Sequence, residues 1–476
     1  MKTILLSIIG TAVLAFWALP VQAQTVTEDQ AFTVAQNWVT LILHKEGKWG
    51  ESKTAEVQTL QEFKQGERII GYFCRVWPKG YVVISLCKEI SPVQAYSGTD
   101  GIDPESEEGI VALIKEGMEQ SLDKIETQAE SIPPPPNPGI WATLGSDVQT
   151  LATGLESGVV PPPYVPSTFL LTSNWQQGYP YNSQCPYGDG CSNTKVGCVA
   201  LAGAQIMRYW AWPPNDFNWV NMPDYGPSSA QIDAVAQLCA DVGWQAGTDY
   251  GCSESTAWCG DKPFSKDMLD AYEDHFQYSQ DASFDIRADN SSSGWYSMIK
   301  DNINQNRPLQ YATAKYSFPG IAGHSLVLDG WQEIGGALFG HMNDGNLAWV
   351  NMTNVGGIEG MIKNIHPVNS LGSWLSGSPD DAHVQYDVPS SGYRYFDQNA
   401  MGRNITFAAG HNLQFLAGVS VRGTSPVGDV IRFTGNSSAT TRMFSIKGTA
   451  KGGSDAGIQI YNGGIQLYNT GSIKFH

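Results

Sequence analysis

The stretch Gly197-Cys198-Val199-Ala200-Leu201-Ala202-Gly203-Ala204-Gln205-Ile206-Met207 places a cysteine at the start of an apolar helix. A helix N-terminus carries unpaired backbone N–H groups and the positive end of the helix dipole, and both favour a thiolate over a thiol. A cysteine here could instead be a small residue that packs the first turn. Cys198 is therefore a candidate nucleophile whose role depends on the residues that accompany it.

Two further motifs flank this cysteine along the chain. The upstream motif is Trp175-Gln176-Gln177-Gly178-Tyr179-Pro180-Tyr181-Asn182, and the downstream motif is Gly323-His324-Ser325-Leu326-Val327-Leu328-Asp329-Gly330. A glutamine before the nucleophile and a histidine at the start of a later apolar strand follow the chain order of a papain-type site. Histidine is also the side chain that titrates unaided in the range needed to take up the thiol proton.

Taken together, these motifs resemble the streptopain family of secreted bacterial cysteine peptidases, over about residues 165–370. The resemblance implies an α+β fold with a papain-like, two-lobed peptidase domain. It also implies that Cys198 attacks a peptide carbonyl and that His324 holds its proton. Gln177, the second residue after the tryptophan, would donate its amide to the oxyanion beside the backbone N–H of Cys198.

Two asparagines are candidates for the residue that orients the histidine. Members of the family carry His-x-Asn-Trp-Gly-Trp-Gly-Gly on the strand after the histidine strand, and here two segments match in part. Asn343 lies 19 positions after His324, a natural distance for a hairpin partner, and Asn351 is followed by two glycines. Neither segment keeps the tryptophan after the asparagine. We favour Asn343 on spacing, with Asn351 as the alternative.

The N-terminal part predicts a leader and a small α+β domain. Residues 1–23 combine a charged start, a short apolar run and a small-residue cleavage site, which is typical of a secretory signal peptide. Residues 24–131 show helical spacing and then two strands, and the segment 90–97 resembles the end of a streptopain-type prodomain. This domain is predicted to inhibit the peptidase, the alternative being an independent binding module.

Three further regions complete the predicted organisation. Residues 132–166 contain two proline clusters and are predicted to be an extended, exposed activation linker. Residues 167–384 form the peptidase domain, with a helical half (198 onward, 229–242, 265–276, 293–304) before a strand-rich half (309–314, 325–332, 337–342, 347–352). Residues 385–476 form a β-rich domain, either a solenoid or a small sandwich, which would attach the protein to a cell surface or support export.

Composition and cysteines set further limits. A net charge of −18 argues against a nucleic-acid partner. No cofactor pattern is present, and although Cys252, Cys259 and His275 could be offered as zinc ligands, an exported chain favours a disulfide there. The local cysteine pairs predicted from spacing are Cys74–Cys87, Cys185–Cys191 and Cys252–Cys259, leaving Cys239 unpaired.

The sequence therefore predicts a secreted cysteine endopeptidase made as a zymogen, with protein or peptide substrates and its own prodomain as inhibitor. Two alternatives stay open. One is a Cys-His amidase that acts on cell-wall peptides. The other is a catalytically degenerate homologue that serves as an adhesin or binding module, an alternative kept open by the altered segments after Asn343 and Asn351.

Overall fold

The computed structural model describes residues 24–127, 139–156, 164–165, 169–213, 216–260, 266–317, 320–353, 355 and 358–367, and the backbone of seven short strands between 393 and 468. The predicted signal peptide lies outside these residues. In the described part of the chain, no helix is long and apolar enough to cross a bilayer.

The N-terminal domain is a four-stranded antiparallel sheet between two helices. Helix α1 (Glu28–Glu46) is followed by β1 (Glu56–Gln65), β2 (Arg68–Trp77), β3 (Tyr81–Ser85), β4 (Val93–Ser97) and α2 (Gly109–Thr127). Thr27 and Gln30 form a reciprocal capping box at the start of α1. Strand β3 is buried along its whole length because alternate residues face the two helices: Val82 packs with α1 and Val83 with α2.

Part of the predicted linker is folded onto α1. Helices α3 (Ile140–Leu144) and α4 (Val148–Glu156) bury their apolar side chains in the same core as α1, and the Asn37 side chain donates to the Leu144 carbonyl at 2.7 Å. The prediction of an extended, exposed segment over 132–166 is therefore wrong for 139–156. The apolar residues between the two proline clusters, including Leu151 and Leu155 at i and i+4, supply a helical face that burial stabilises.

The second domain places helices before strands, as predicted. The two-residue strand β5 (Tyr164–Val165) is followed by α5 (Cys198–Trp210), α6 (Ile232–Gln245), α7 (Met268–Asp270) with a π-helical turn over Ala271–His275, β6 (Ser283–Ile286) and α8 (Ser292–Asn304). Strands β7 (Leu309–Ser317), β8 (Gly320–Ile334), β9 (Ala337–Asn343), β10 (Leu347–Asn351) and β11 (Ile358–Lys363) follow. The helix predicted at 265–276 is the exception, because only a short α-helical segment and a π turn form there.

A single sheet joins the two domains, in the order β1-β2-β3-β4-β10-β9-β8-β7-β11-β6, with β5 beside β8. The junction is an antiparallel pairing of β4 with β10, in which Tyr96 faces Trp349. Two of the three apolar cores contain residues from both domains. The N-terminal domain is thus built into the sheet that carries the candidate site.

The cysteine pairs predicted from spacing are wrong. All eight cysteines lie within the described residues, and they form one disulfide, Cys191–Cys252. Cys74 packs in the core on one face of the N-terminal sheet and Cys87 in the core on the other, so these two cannot meet. Two loops that are distant in sequence bring Cys191 and Cys252 together, which spacing alone does not reveal.

The C-terminal region contributes short strands that pair in parallel. Strand β12 (Tyr393–Phe396) pairs with β15 (Asn412–Phe415), β13 (Ala400–Met401) with β16 (Val421–Arg422), and β14 (Ile405–Ala408) with β17 (Ile431–Thr434), which pairs with β18 (Gln466–Tyr468). In three of these pairings a strand pairs with the third strand after it, and such parallel pairing of short strands is typical of stacked solenoid turns. The choice between solenoid and sandwich stays a prediction.

Candidate active site

Cys198 is the first residue of α5, and the glycine before it makes this placement possible. Gly197 has φ 90°, and a Cβ at this position would lie 3.0 Å from the Ser255 carbonyl oxygen. The helix begins with the Leu201 N–H donating to the Gly197 carbonyl at 2.9 Å. Cys198 itself is only partly buried, whereas the other five free cysteines are buried.

His324 on β8 lies between Cys198 and a carboxylate. Its Nε2 is 2.8 Å from Asp344 Oδ2, and its ring also hydrogen bonds to the Cys198 thiol. The His324 side chain is 15% exposed and that of Asp344 is 4% exposed. The structure therefore brings a thiol, an imidazole and a carboxylate into one line at the junction of α5 and the sheet.

Each of the three groups shifts the pKa of its neighbour toward the charged form. Burial alone raises the pKa of Cys198, but the hydrogen bond and charge of His324 and the N–H groups of Ser325 and Val199 outweigh it, so the pKa is lowered. For His324, burial lowers the pKa, while the hydrogen bonds of Asp344 and Cys198 raise it to about 10. This arrangement favours a thiolate–imidazolium pair.

Asp344 is ionised in this setting. Burial raises its pKa, but the hydrogen bond and charge of His324 lower it further, with help from the backbone N–H groups of Asn346 and Ile110. The Asn346 N–H donates to Oδ1 at 3.0 Å, which leaves Oδ2 for the imidazole. Asp344 thus both orients His324 and balances its positive charge.

The prediction that an asparagine orients His324 is corrected by this geometry. Asn343 turns its side chain the other way, donating to the Ser173 carbonyl at 2.7 Å and accepting from the Gly345 N–H at 3.0 Å. Successive residues at a strand end point to opposite sides, so the side chain beside the histidine is that of the next residue, Asp344. The signal was present in the sequence, because Asp344 replaces the tryptophan that follows the asparagine in the family motif.

The alternative asparagine also faces away from His324. Asn351 donates from Nδ2 to the Val93 carbonyl of β4 at 3.2 Å, and its Oδ1 accepts from the Thr353 N–H at 3.1 Å. Asn351 therefore belongs to the junction between the two domains rather than to the group of Cys198, His324 and Asp344.

The predicted oxyanion residue lies next to the start of α5. The Gln177 carbonyl accepts the Val196 N–H at 3.0 Å, which holds this loop two residues before Cys198, and the residue is partly buried. Gln176 is exposed and lies on the other side of the loop, against Gly345.

A second histidine–aspartate pair serves a different purpose. His341 Nδ1 is 2.6 Å from Asp329 Oδ1, and both residues are buried. The other Asp329 oxygen accepts the Leu171 N–H at 2.6 Å, and Phe169 stacks on the His341 ring at 4.3 Å. This pair anchors the first described residues of the peptidase domain to the sheet.

The N-terminal domain reaches the candidate site through the first turn of α2. The Ile110 N–H donates to Asp344 Oδ2 at 2.7 Å, the same oxygen that faces His324. A Cβ on Gly109 would lie 2.6 Å from that oxygen and 3.8 Å from His324 Nε2. The N-terminal domain is therefore in direct contact with the carboxylate that faces His324.

The described residues contain no group of three or more His, Cys, Asp or Glu side chains arranged to hold a metal ion. Of the residues weighed as zinc ligands, Cys252 is in the disulfide and Cys259 lies beside Ser325, with its Sγ 3.5 Å from the Ser325 hydroxyl.

Two family models match the chain, one over each of the two domains. Residues 175–216 and 214–351 match the model of the peptidase C10 family, and residues 23–121 match the Spi protease inhibitor model. Among curated proteins, streptopain of Streptococcus pyogenes is 24% identical over 390 residues, covering 71% of this chain and 89% of streptopain. The thiol protease/hemagglutinin PrtT of Porphyromonas gingivalis is 27% identical over 215 residues, but the match spans only 24% of that protein.

Two solved structures from Prevotella intermedia are similar to parts of the chain. A prointerpain A fragment superimposes with a TM-score of 0.46 at 18% identity, covering 65% of this chain and 98% of the fragment. The active form of interpain A gives a TM-score of 0.37 at 23% identity, covering 44% of this chain and all of that structure.

Proposed function

Since the chain belongs to the peptidase C10 family of cysteine proteases, with a Spi-type inhibitory prodomain before the peptidase domain, we propose that it is an endopeptidase zymogen whose nucleophile is Cys198. The observation that carries the proposal is the line from Cys198 through His324 to Asp344, with its 2.8 Å bond between imidazole and carboxylate. A thiolate needs a neighbouring cation to persist near neutral pH, and His324 supplies it.

The reaction proceeds through an acyl-enzyme. The Cys198 thiolate attacks the carbonyl carbon of the scissile peptide bond, and the oxyanion receives hydrogen bonds from the Cys198 N–H and the Gln177 amide. His324 donates its proton to the leaving amine as the C–N bond breaks, leaving a thioester. Water then attacks the thioester, His324 takes its proton, and release of the acid product restores the thiolate–imidazolium pair.

Asp344 performs the role that an asparagine performs in papain-like sites. Its Oδ2 accepts a hydrogen bond from the Nε2–H of His324 and so holds the ring in the plane that faces Cys198. Because it carries a charge, it also raises the pKa of His324, which an asparagine would do less strongly.

This carboxylate weighs against the degenerate-homologue alternative, since the altered motif still supplies a group that orients the imidazole. The N-terminal domain weighs against the cell-wall amidase, because residues 23–121 match a model of protease inhibitors. Protein or peptide substrates and inhibition by the chain's own prodomain follow from the two matched families.

The protein is also proposed to be exported from the cell. The run 1–23 has the features of a signal peptide, and a disulfide between Cys191 and Cys252 suits an oxidising compartment. The β-rich region after 385 would then attach the enzyme to a surface or assist its export.

The test of the function is the variant Cys198→Ala. We expect it to fold, to remain full length because it cannot process itself, and to lose peptide hydrolysis by at least about 10³-fold, since its methyl group cannot form the thioester. Thermal unfolding checks the fold, and hydrolysis of a fluorogenic peptide checks the activity. Hydrolysis at the wild-type rate by purified Cys198→Ala protein would remove Cys198 from the mechanism.

A further inference from the structure

A buried amide with no part in the proposed reaction lies next to the elements that carry Cys198 and His324. Gln310 on β7 is 0% exposed, and its Nε2 donates both to the Val199 carbonyl at 3.0 Å and to the Ser325 hydroxyl at 3.1 Å. Its Oε1 accepts from the Tyr272 hydroxyl at 2.9 Å. The side chain therefore uses both of its donor hydrogens and its acceptor inside the protein.

The two acceptors of Gln310 belong to the two elements that carry the reacting groups. Val199 follows Cys198 in the first turn of α5, and Ser325 follows His324 on β8. The backbone N–H groups of these same two residues hydrogen bond to the Cys198 sulfur. A shift of either residue would change both the separation of thiol from imidazole and the hydrogen bonds that stabilise the thiolate.

We propose that Gln310 is a positioning residue that fixes the first turn of α5 against the His324 segment of β8, and thereby keeps the thiolate–imidazolium pair assembled. The proposal rests on the function assigned above, because it gives Gln310 a role in the same reaction. It names a residue that touches neither the substrate nor the sulfur and that acts through Val199 and Ser325.

The chemistry of the site explains why a glutamine suits this position. An amide NH₂ offers two donors at a fixed angle, so one group can reach two acceptors on different elements. The Tyr272 hydroxyl fixes the orientation of the amide by donating to its oxygen. Tyr272 is itself fully buried, so the network is rigid on the side away from the substrate.

A purely structural role predicts something different. The Val199 carbonyl lies within the helix, where the backbone already offers it a partner, so the bond from Gln310 is an additional one. If Gln310 served only to satisfy buried polar atoms, its loss would lower thermal stability without altering the ionisation of Cys198. If it positions the pair, its loss must also change the charge state of the thiol.

The test compares Gln310→Met with the wild-type chain after processing, the variant being processed by a trace of wild-type enzyme where needed. Methionine keeps the length and shape of the side chain but removes the amide. We expect kcat for a fluorogenic peptide to fall roughly 10- to 100-fold with KM within about twofold. We also expect the midpoint of iodoacetamide alkylation at Cys198 to move to higher pH by about half a unit or more, because the thiolate loses support.

Two further variants make the test decisive. Asn302→Leu removes another buried amide, one on α8 that accepts the Asn364 N–H at 2.8 Å, and should lower thermal stability without moving the alkylation midpoint. Tyr272→Phe leaves the amide in place but frees its orientation, and should shift kcat and the alkylation midpoint in the same direction as Gln310→Met, by less. Tyr272→Phe decides the question if Gln310→Met does not fold.

Each outcome has one meaning. The positioning role is overturned if folded Gln310→Met keeps both the wild-type alkylation midpoint and the wild-type kcat. If Gln310→Met does not fold, the same result in Tyr272→Phe overturns it. Either result leaves the proposed function intact. A wild-type chain that neither hydrolyses peptides nor alkylates selectively at Cys198 overturns both.

Discussion

At the scale of single residues, we expect the charge of Asp344 to set the alkaline limit of the proposed activity. The active pair is a Cys198 thiolate beside a protonated His324, so activity rises as pH passes the lowered pKa of the thiol. It falls as pH passes the pKa of His324, which Asp344 and Cys198 raise to about 10. Removing the carboxylate charge lowers the pKa of His324, so the alkaline limb must move to lower pH.

We therefore expect Asp344→Asn to retain most of its turnover near neutral pH, because an asparagine can still orient the ring, while its alkaline limb moves to lower pH. Asp344→Ala should lose roughly 10- to 100-fold in kcat, since it also loses the orienting bond. The measurement is the pH profile of kcat/KM, with Asn351→Ala as the control. An alkaline limb that stays in place in Asp344→Asn would remove Asp344 from the catalytic line.

Asp344 is also the residue of the site that the sequence alone did not predict. The proximity of Cys198 and His324 could be predicted because both lie within sequence motifs, Cys198 at the start of a helix and His324 within a strand. The orienting residue was misplaced by one position, since the motif directed attention to Asn343 while the turn after β9 presents Asp344. A one-residue difference at a strand end moves a side chain to the other side, and only the structure fixes it.

At the scale of elements, the first turn of α2 is the feature that links the prodomain to the chemistry. Gly109 has φ 61°, and a Cβ there would lie 2.6 Å from Asp344 Oδ2. The glycine allows the Ile110 N–H to reach the carboxylate that holds His324. Latency in this chain would thus include a contact to the group that orients the base.

Gly109→Ala should weaken that contact, because the added methyl group would push the start of α2 away from Asp344, which its bonds to His324 and Asn346 hold in place, and because the positive φ costs about 1–3 kcal/mol. We expect the unprocessed full chain to hydrolyse peptide faster and to mature sooner than wild type. Gly101→Ala is the matched control, since a Cβ there meets nothing within 4 Å. Equal rates for the two variants would show that the α2 contact does not contribute to latency.

Periodicity predicted most helices and strands of the peptidase domain because their apolar faces repeat at 3.6 or 2 residues. It did not predict α3 and α4, since the flanking proline clusters suggested an extended chain although Leu151 and Leu155 supply an apolar face. It could not predict the Cys191–Cys252 bridge, because that bond depends on two loops meeting in space.

At the scale of the whole molecule, prodomain and peptidase share one sheet and two apolar cores. Strand β4 covers the β10 edge, and Tyr96 packs against Phe339 of β9 with ring centroids 5.9 Å apart. The prodomain is therefore an extension of the peptidase fold, and its release exposes a sheet edge and apolar surface. Cleavage alone need not separate the two parts, since the sheet pairing remains after the chain is cut.

The packing also limits where maturation cuts the chain. Residues 139–156 are folded on α1, whereas Phe169 and Leu171 are held by the buried pair of His341 and Asp329. Strand β5 (Tyr164–Val165) is paired with β8, so a cut within 157–163 leaves all of these anchored parts intact, and we expect the cut in this window. N-terminal sequencing of the processed enzyme checks it. A mature N-terminus within 139–156 or beyond Leu171 would contradict this account.

Of the six free thiols, the proposed nucleophile is Cys198. The pKa of Cys198 is lowered. Burial raises the pKa of each of the other five thiols: to about 12 for Cys74, Cys87 and Cys259, to about 11 for Cys185, and upward also for Cys239. The most direct measurement is mass mapping of the processed protein after treatment near pH 6 with an irreversible thiol-directed peptide inhibitor. The account predicts a single label on Cys198 and loss of hydrolysis in proportion to labelling. A label on another cysteine, or full hydrolysis by protein labelled at Cys198, would contradict it.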